Sequence, residues 1–411
     1  MGLRGLSMSP RKPSVAITGV GCVTAFGQGV QQLWTEIKRG HTAVLTRNSD
    51  KPYLPPLVLT AQAPPMEVES QSFGSGLYRP SRTSVLARLA ASEAWSMSGI
   101  SGQFDPDRTA LLINRNFGQH DLTGGYYERL WDKGPGGVSG LQFVQTIANA
   151  VLGHLALVMG LRGPSLLSLG PSSLGLAVDT LRDGKADVVL AGSVDELSGY
   201  VLTLCHLGEV AAHYDQELNQ PRPYDSRRSG LVPGEAAVFF VLETLAHAQA
   251  RGASPLAFLR GYACVTDERS LSNPLHRSER EIEAAISRAL ADSGTDQEEL
   301  AAISGAGAGL HDFDEMELEG ICRALFAPPP VLSVKGAIGE TWGAAGGLSV
   351  LTGVLALREG VLPPTVNSEA PESRGAVRVA SKELAIKGTA VLALSLDMCC
   401  QNCAYVCAAE P

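Results

Sequence analysis

Short apolar runs alternate along the chain with segments of helical periodicity. The apolar runs predict buried strands, bounded mostly by glycine or aspartate, at residues 14–21, 109–115, 187–192, 236–243 and 301–307. Apolar residues spaced three and four apart predict helices, several of which end at a glycine, at residues 30–40, 84–99, 174–184, 279–294 and 314–326. This alternation favours an α/β fold in which helices cover parallel strands.

The chain is long enough for two halves of similar size. It has 411 residues, of which 45% are hydrophobic. A helix that leads through an acidic turn into an apolar strand occurs at residues 174–192 and, more loosely, at residues 279–307. We therefore predict a disordered tail at residues 1–12, an N-terminal half at residues 13–250 and a C-terminal half at residues 251–411, with the joint within residues 245–255.

Composition and charge exclude several classes of function. The net charge is -9 and the basic residues are scattered, which argues against a nucleic-acid partner. No apolar run reaches the roughly 18 to 20 residues that span a bilayer, and the N-terminus lacks the apolar region of a secretory signal. The eight cysteines form no widely spaced disulfide framework. We expect a cytoplasmic protein without a membrane span.

Four cysteines crowd the C-terminus. The spacing of Cys399, Cys400, Cys403 and Cys407 is superficially typical of an iron–sulfur or zinc site. The residues before and after the first two predict strands, however, and alternate residues of a strand point to opposite faces. We expect the four sulfurs to diverge and to hold no metal, and we expect no cofactor.

A possible nucleophile lies in the segment GPSLLSLGPSSLG, residues 163–175, which predicts a strand, a tight turn and a helix start. Ser172 stands at the start of that helix. Its surroundings fail the G-x-S-x-G nucleophile elbow at the last position. A serine-dependent acyltransferase or hydrolase that uses Ser172 remains one alternative.

Four segments in a fixed order carry a family resemblance: residues 15–44, 163–196, 222–253 and 331–367. Together they resemble a β-ketoacyl synthase of the thiolase superfamily, including its R-P-[FY]-D motif, its K-S-x-x-G-H-x-x-G-A-A-G helix and its P-P-T-x-N loop. The resemblance implies duplicated α/β halves in a thiolase-like αβαβα layered fold.

The same resemblance implies that the catalytic set is lost. The family's nucleophilic cysteine corresponds to Ser172, its first catalytic histidine to Ala306 and its second to Glu340, while the lysine is retained as Lys335. The family's glycine-rich C-terminal loop is replaced by residues 397–402.

These replacements bear directly on the chemistry. A cysteine thiolate is stabilised at a helix N-terminus, whereas a serine hydroxyl stays protonated there and needs a general base. Ala306 cannot donate a hydrogen bond to an oxyanion, and an ionised Glu340 would repel one. His311, in a predicted loop beside Asp312, is the histidine best placed to substitute. We expect Lys335 and Glu340 to pair.

A fold kept without its catalytic groups resembles the chain length factor, or ketosynthase β subunit, of bacterial type II polyketide synthases. The resemblance implies a heterodimer with a ketosynthase that has an intact Cys-His-His set, and an acyl carrier protein that holds the growing chain. By analogy, Phe117, Phe143 and Thr146 are candidates for lining the substrate tunnel, with ordinary packing as the alternative. A stand-alone thiolase-fold protein that binds acyl chains is a third possibility.

Overall fold

The computed structural model describes residues 13–51, 53–68, 71–73, 76–78, 80–212, 220–372 and 374–411. The predicted tail at residues 1–12 lies outside the described residues. The strands are β1 (Val15–Thr24), β2 (Gly27–Gln28), β3 (Leu45–Asn48), β4 (Leu57–Thr60), β5 (Gln71–Phe73), β6 (Gly76–Tyr78), β7 (Thr109–Arg115), β8 (Ser165–Leu169), β9 (Val188–Asp195), β10 (Ala236–Thr244), β11 (Ala257–Thr266), β12 (Leu300–Ser304), β13 (Val331–Leu332), β14 (Val361–Leu362), β15 (Leu384–Ala385), β16 (Ala390–Asp397) and β17 (Gln401–Ala408).

The helices cover the predicted helical segments and add several others. They are α1 (Val30–Lys38), α2 (Arg82–Ser98), α3 (His120–Lys133), α4 (Gly140–Thr146), α5 (Ala150–Met159), α6 (Ser173–Arg182), α7 (Gly199–Leu207), α8 (Leu245–Ala250), α9 (Glu279–Ser293), α10 (His311–Ala324), α11 (Lys335–Ile338) and α12 (Ala345–Glu359). The five predicted strands correspond to β1, β7, β9, β10 and β12.

One eleven-stranded sheet in the described residues runs through both predicted halves. Its order is β13-β12-β16-β17-β11-β1-β10-β9-β7-β8, with β2 paired to β1. Strand β1 pairs with β10 along most of its length but with β11 at only three residues, so the halves join through a short stretch of ladder.

The prediction of parallel strands was correct only in part. Parallel pairing joins β7 to β8 and β9, and joins β12 to β13 and β16. The middle of the sheet is antiparallel, from β9 through β10, β1, β11 and β17 to β16. A short turn such as the one between β16 and β17 can only reverse the chain, because a parallel pair needs a long crossover.

Helices and strands form five layers. Helices α6 and α12 lie in the middle and contact strands of both halves, while α2 and α5 cover one outer face and α9 and α10 cover the other. The middle helix α12 is buried on most of its surface, as expected for a helix enclosed between the N-terminal and C-terminal parts of the sheet. This is the predicted αβαβα arrangement.

The described helices were also compared with the requirements of a membrane span. None of them is by itself long and apolar enough to cross a bilayer, while the pair α4 and α5 meets the length and composition requirement only jointly, across a bend of 104°.

Candidate functional site

Ser172 lies in the turn between strand β8 and helix α6. It is half-buried and takes the N-cap position of α6, but its side chain makes no capping hydrogen bond. The turn depends on Gly170, whose φ of +85° suits glycine and whose added Cβ would come within 3.0 Å of Gln401 Oε1. The predicted strand, turn and helix start are therefore present.

The hydroxyl of Ser172 contacts another neutral hydroxyl. Ser172 Oγ donates to Ser168 Oγ at 3.3 Å, and within the described part of the chain this is its only side-chain hydrogen bond. A serine nucleophile needs a base that removes its proton. Among the residues that the structure describes, no base is hydrogen-bonded to the Ser172 hydroxyl.

Ala306, which is predicted to stand at the position of the first family histidine, has only a methyl side chain. Its N–H donates to Glu317 Oε1 at 2.6 Å, and its carbonyl oxygen accepts from Lys335 Nζ at 2.7 Å. Burial raises the pKa of Glu317 to about 7. The backbone of Ala306 is thus held between a buried carboxyl and a buried ammonium.

The predicted pair of Lys335 and Glu340 forms. Lys335 Nζ lies 2.6 Å from Glu340 Oε2, and the two side chains are only 3% and 10% exposed. The other carboxylate oxygen, Oε1, accepts from the N–H of Trp342 at 2.8 Å. Both oxygens of Glu340 therefore have partners, and the residue that is predicted to replace the second histidine acts here as an acceptor.

Hydrogen bonds connect the Ser172 turn to the Glu340 loop. Ser173 Oγ donates to Asn114 Oδ1 at 2.5 Å, and Asn114 Nδ2 donates to the carbonyl oxygen of Gly343 at 2.8 Å. Gly343 N–H in turn donates to Asp195 at 2.9 Å. Burial raises the pKa of Asp195 to about 6, although backbone N–H groups hydrogen-bond to it. The structure thus brings Ala306, Lys335 and Glu340 together. Ser172 is connected to them only through the hydrogen bonds of its neighbour Ser173.

The space beside Glu340 is a cavity of about 10 Å³. Its lining includes two residues that sequence reasoning missed, Arg277 and Trp342, with Leu310 and Asp397. Trp342 has a φ of 54°, which is unusual for a residue other than glycine. A tryptophan within the G-E-T-W-G-A-A-G segment could have drawn attention from sequence alone. Arg277 lies outside the recognised motifs, so no sequence signal indicated it.

The tunnel candidates lie in two places. Phe117 makes an edge-to-face contact with Trp342 at a centroid distance of 5.1 Å, beside the cavity. Phe143 is about half-exposed on α4, and its carbonyl oxygen accepts from Thr146 Oγ1 at 2.8 Å. No partner chain is present in the structure, so lining of a tunnel stays a prediction for all three.

The prediction for His311 was wrong about its local structure. It is the first residue of α10, not part of a loop, and it is exposed together with Asp312. Acidic residues in the first turn stabilise a helix N-terminus, which explains why the helix begins this early. Asp314 and Glu317 on the same helix are buried at the site, whereas His311 faces solvent.

The cysteine-rich segment contributes no ligand cluster. Cys399 and Cys400 lie in the turn after β16, while Cys403 and Cys407 are buried on β17, about 13 Å apart along the strand. Within the described ranges, no group of three or more His, Cys, Asp or Glu side chains is placed to hold a metal ion.

Comparisons with known proteins identify the family of the chain. The N-terminal domain of β-ketoacyl synthases matches residues 12–248, and the C-terminal domain matches residues 256–369. The chain therefore belongs to the β-ketoacyl synthase family.

Its relatives include ketosynthase subunits of polyketide synthases. The tetracenomycin polyketide synthase ketoacyl synthase alpha subunit of Streptomyces glaucescens is 29% identical over 383 residues, which are 87% of this chain and 88% of that protein. Nodulation protein E of a Rhizobium species is 29% identical over 370 residues, 87% of this chain and 89% of that protein.

Solved structures show the same fold. The ishigamide ketosynthase/chain length factor superimposes with a TM-score of 0.86 at 22% identity, over 97% of this chain and all of that one. A chain of the complex AntDE:AntF, a type II polyketide synthase acyl carrier protein with its ketosynthase bound to the hexaketide, gives a TM-score of 0.82 at 21% identity, over 97% of this chain and all of that one. The predicted thiolase-like fold is confirmed.

Proposed function

We propose that this chain is a non-catalytic, chain length factor-like subunit that pairs with an active ketosynthase. The heterodimer builds a polyketide or polyene chain on an acyl carrier protein and limits its length. The observation that carries the proposal is the ion pair of Lys335 and Glu340 at the position of the second histidine, beside a cavity of about 10 Å³.

Decarboxylative condensation needs hydrogen-bond donors for the enolate that forms as carbon dioxide leaves. Ala306 supplies a methyl group, and both oxygens of Glu340 already accept hydrogen bonds. Loss of one such donor typically costs about 10²- to 10³-fold in rate. With the thiol also replaced by Ser172, this centre supports no condensation.

The exposed edge of the sheet supports a protein partner. Strand β8 is the last strand on its side, and Leu166 and Leu169 on it are about half-exposed. The neighbouring segment from α4 through α5 adds more exposed apolar side chains, namely Leu141, Phe143, Val144, Ile147 and Leu157. An edge strand beside a broad apolar surface is typical of a surface that another chain covers.

The partner is a ketosynthase with an intact Cys-His-His set. The names of the structural relatives support this choice, since one is a ketosynthase/chain length factor and another contains an acyl carrier protein with its ketosynthase. The partner catalyses the condensation, and this chain contributes the surface that limits the length of the product. A cytoplasmic location and an acyl carrier protein as second partner belong to the same proposal, which needs no cofactor.

Coexpression with a candidate ketosynthase tests the pairing. We expect a one-to-one complex by light scattering, and we expect Leu169→Asp to abolish it because a carboxylate would be buried at the edge of the sheet. Phe326→Asp is the matched control, since Phe326 is also exposed but follows α10 in the C-terminal half. A stable homodimer that ignores the ketosynthase would overturn the proposal.

Intact-protein mass spectrometry addresses the two alternatives. Incubation of the chain alone with an acyl-carrier thioester should leave its mass unchanged. An acyl adduct that disappears in Ser172→Ala would establish a serine enzyme instead. Tight binding of an acyl chain by the isolated protein, without any covalent change, would favour the stand-alone binding protein.

A further inference from the structure

Three polar atoms around the small cavity lack hydrogen-bond partners among the residues that the structure describes. They are Arg277 Nε, Trp342 Nε1 and Asn116 Oδ1, and their three residues line the same cavity. Arg277 is 1% exposed and Trp342 is 5% exposed. Buried polar atoms in folded proteins nearly always have a partner, so this convergence needs an explanation.

The remaining contacts of these side chains fix which atoms are left over. The two terminal nitrogens of Arg277 donate to Ser270 Oγ and to the carbonyl oxygen of Asp397, and the guanidinium lies 5.4 Å from the centre of the Phe313 ring. This arrangement leaves Nε as the one guanidinium nitrogen that makes no hydrogen bond within the described residues.

The other two side chains are fixed in the same way. Asn116 Nδ2 donates to Asp397 Oδ2 at 2.7 Å, which assigns the opposite end of the amide, Oδ1, as the free acceptor. The Trp342 ring is held edge-to-face against Phe117, and its main-chain N–H donates to Glu340. The site thus offers two fixed donors and one fixed acceptor.

We propose that this cavity is a binding site for a single water molecule. A water oxygen accepts two hydrogen bonds, here from Arg277 Nε–H and Trp342 Nε1–H, and donates two. One proton goes to Asn116 Oδ1, and the other faces the carboxylates of Glu340 and Asp397, which also line the cavity.

The size of the cavity fits one water molecule. A volume of about 10 Å³ is roughly one water-sized probe sphere, near the lower limit at which a polar cavity holds a water with two to four partners. Three residues of the lining each carry a polar atom without a partner in the described residues, whereas dry cavities are apolar. A segment of acyl chain would satisfy none of the three atoms.

The water would connect parts of the chain that are far apart in sequence. Asn116 follows β7, Arg277 precedes α9, and Trp342 lies in the loop before α12. The bridge therefore connects these three segments by hydrogen bonding, in addition to the pair of Lys335 and Glu340. This inference does not depend on the proposed partner, so either can fail without the other.

A high-resolution crystal structure of the chain, alone or with a partner, tests the proposal directly. We expect one density peak within about 2.7 to 3.2 Å of all three atoms. An empty cavity would overturn the proposal. So would a direct hydrogen bond between Arg277 Nε and Asn116 Oδ1, or a peak that lacks these contacts.

Trp342→Phe provides an independent test, because it keeps a ring beside Phe117 and removes the Nε1–H donor. Trp95→Phe deletes the same atoms from a half-buried ring that contacts Phe104 elsewhere in the fold, and it serves as the control. We expect the folding equilibrium constant to fall about tenfold further in Trp342→Phe than in the control. Equal losses in the two variants would refute a water bound through this donor.

Discussion

The buried pair of Lys335 and Glu340 makes a quantitative prediction about stability. Glu340→Gln preserves the shape and the acceptor for the Trp342 N–H but removes the charge that faces Lys335 at 2.6 Å. The lysine would keep the carbonyl oxygen of Ala306 and the face of Phe313, 5.6 Å from its Nζ. Breaking a buried pair in this way costs about 3 to 5 kcal/mol, and we expect about 3 because the amide oxygen still accepts a hydrogen bond.

That free energy converts into a measurable shift. An unfolding entropy of about 2.1 cal/mol/K per residue, taken over the 411 residues, corresponds to about 0.86 kcal/mol/K for the chain. A loss of about 3 kcal/mol therefore lowers the melting temperature by about 3.5 °C in differential scanning calorimetry. The matched control is Glu359→Gln, because Lys38 and Glu359 also lie 2.6 Å apart but are 31% and 40% exposed. We expect that variant to lose at most about 1 kcal/mol.

A double-mutant cycle separates the pair from its surroundings. Lys335→Met removes the ammonium, and in Lys335→Met/Glu340→Gln the amide can hydrogen-bond to the carbonyl oxygen of Ala306. We expect a coupling free energy of about 2 kcal/mol between the two positions. The reasoning is refuted if Glu340→Gln is no more destabilising than Glu359→Gln, or if the effects of Lys335→Met and Glu340→Gln simply add.

Three further predictions concern pH, covalent chemistry and chain length. Because burial raises the pKa of Glu317 from 4.5 to about 7, the folded chain holds a proton that the unfolded chain releases. The stability contributed by this group should be complete below about pH 4.5 and be lost as the pH rises through about 7. Glu317→Gln should therefore remove this decrease of the unfolding free energy with pH, as measured by denaturation curves at several pH values. An unchanged decrease in the variant would assign it to other groups. Ser172→Ala should leave the product yield of the reconstituted heterodimer unchanged by liquid chromatography, whereas a loss of product would show that the hydroxyl takes part. Phe117→Ala should shift the products of that heterodimer toward longer chains by mass spectrometry if the ring limits a tunnel, and a lower melting temperature with unchanged products would indicate packing alone.

Sequence reasoning was most successful where a local pattern or a short motif carries the information. Helix and strand positions followed from periodicity and glycine caps, as for α9, which ends at Gly294. Family motifs located Ser172, Ala306, Lys335 and Glu340 and led to the expected ion pair. Lys335 begins the short helix α11 and Glu340 follows that helix, only five residues later, so their contact depends little on the rest of the fold.

The residues that line the cavity from distant parts of the chain could not be predicted in this way. Arg277 reaches the cavity from the segment before α9, and Asn116 reaches it from the end of β7. No local pattern distinguishes Arg277 from the other arginines of the chain. Its role becomes visible only when its guanidinium is seen to be buried, bonded through two nitrogens and unpaired at the third. His311 shows the converse, since a suggestive neighbour in sequence proved to be exposed on α10.

The sequence by itself determined the family, the order of the main strands and helices, and the identity of the groups at the catalytic positions, because these depend on local patterning and on motifs a few residues long. Only the tertiary structure decided how the space left by those groups is occupied. Packing brings together side chains that are up to 281 residues apart in sequence, as in the hydrogen bond of Asn116 to Asp397. The volume and hydrogen bonding of a cavity are properties of that assembly and of no single segment.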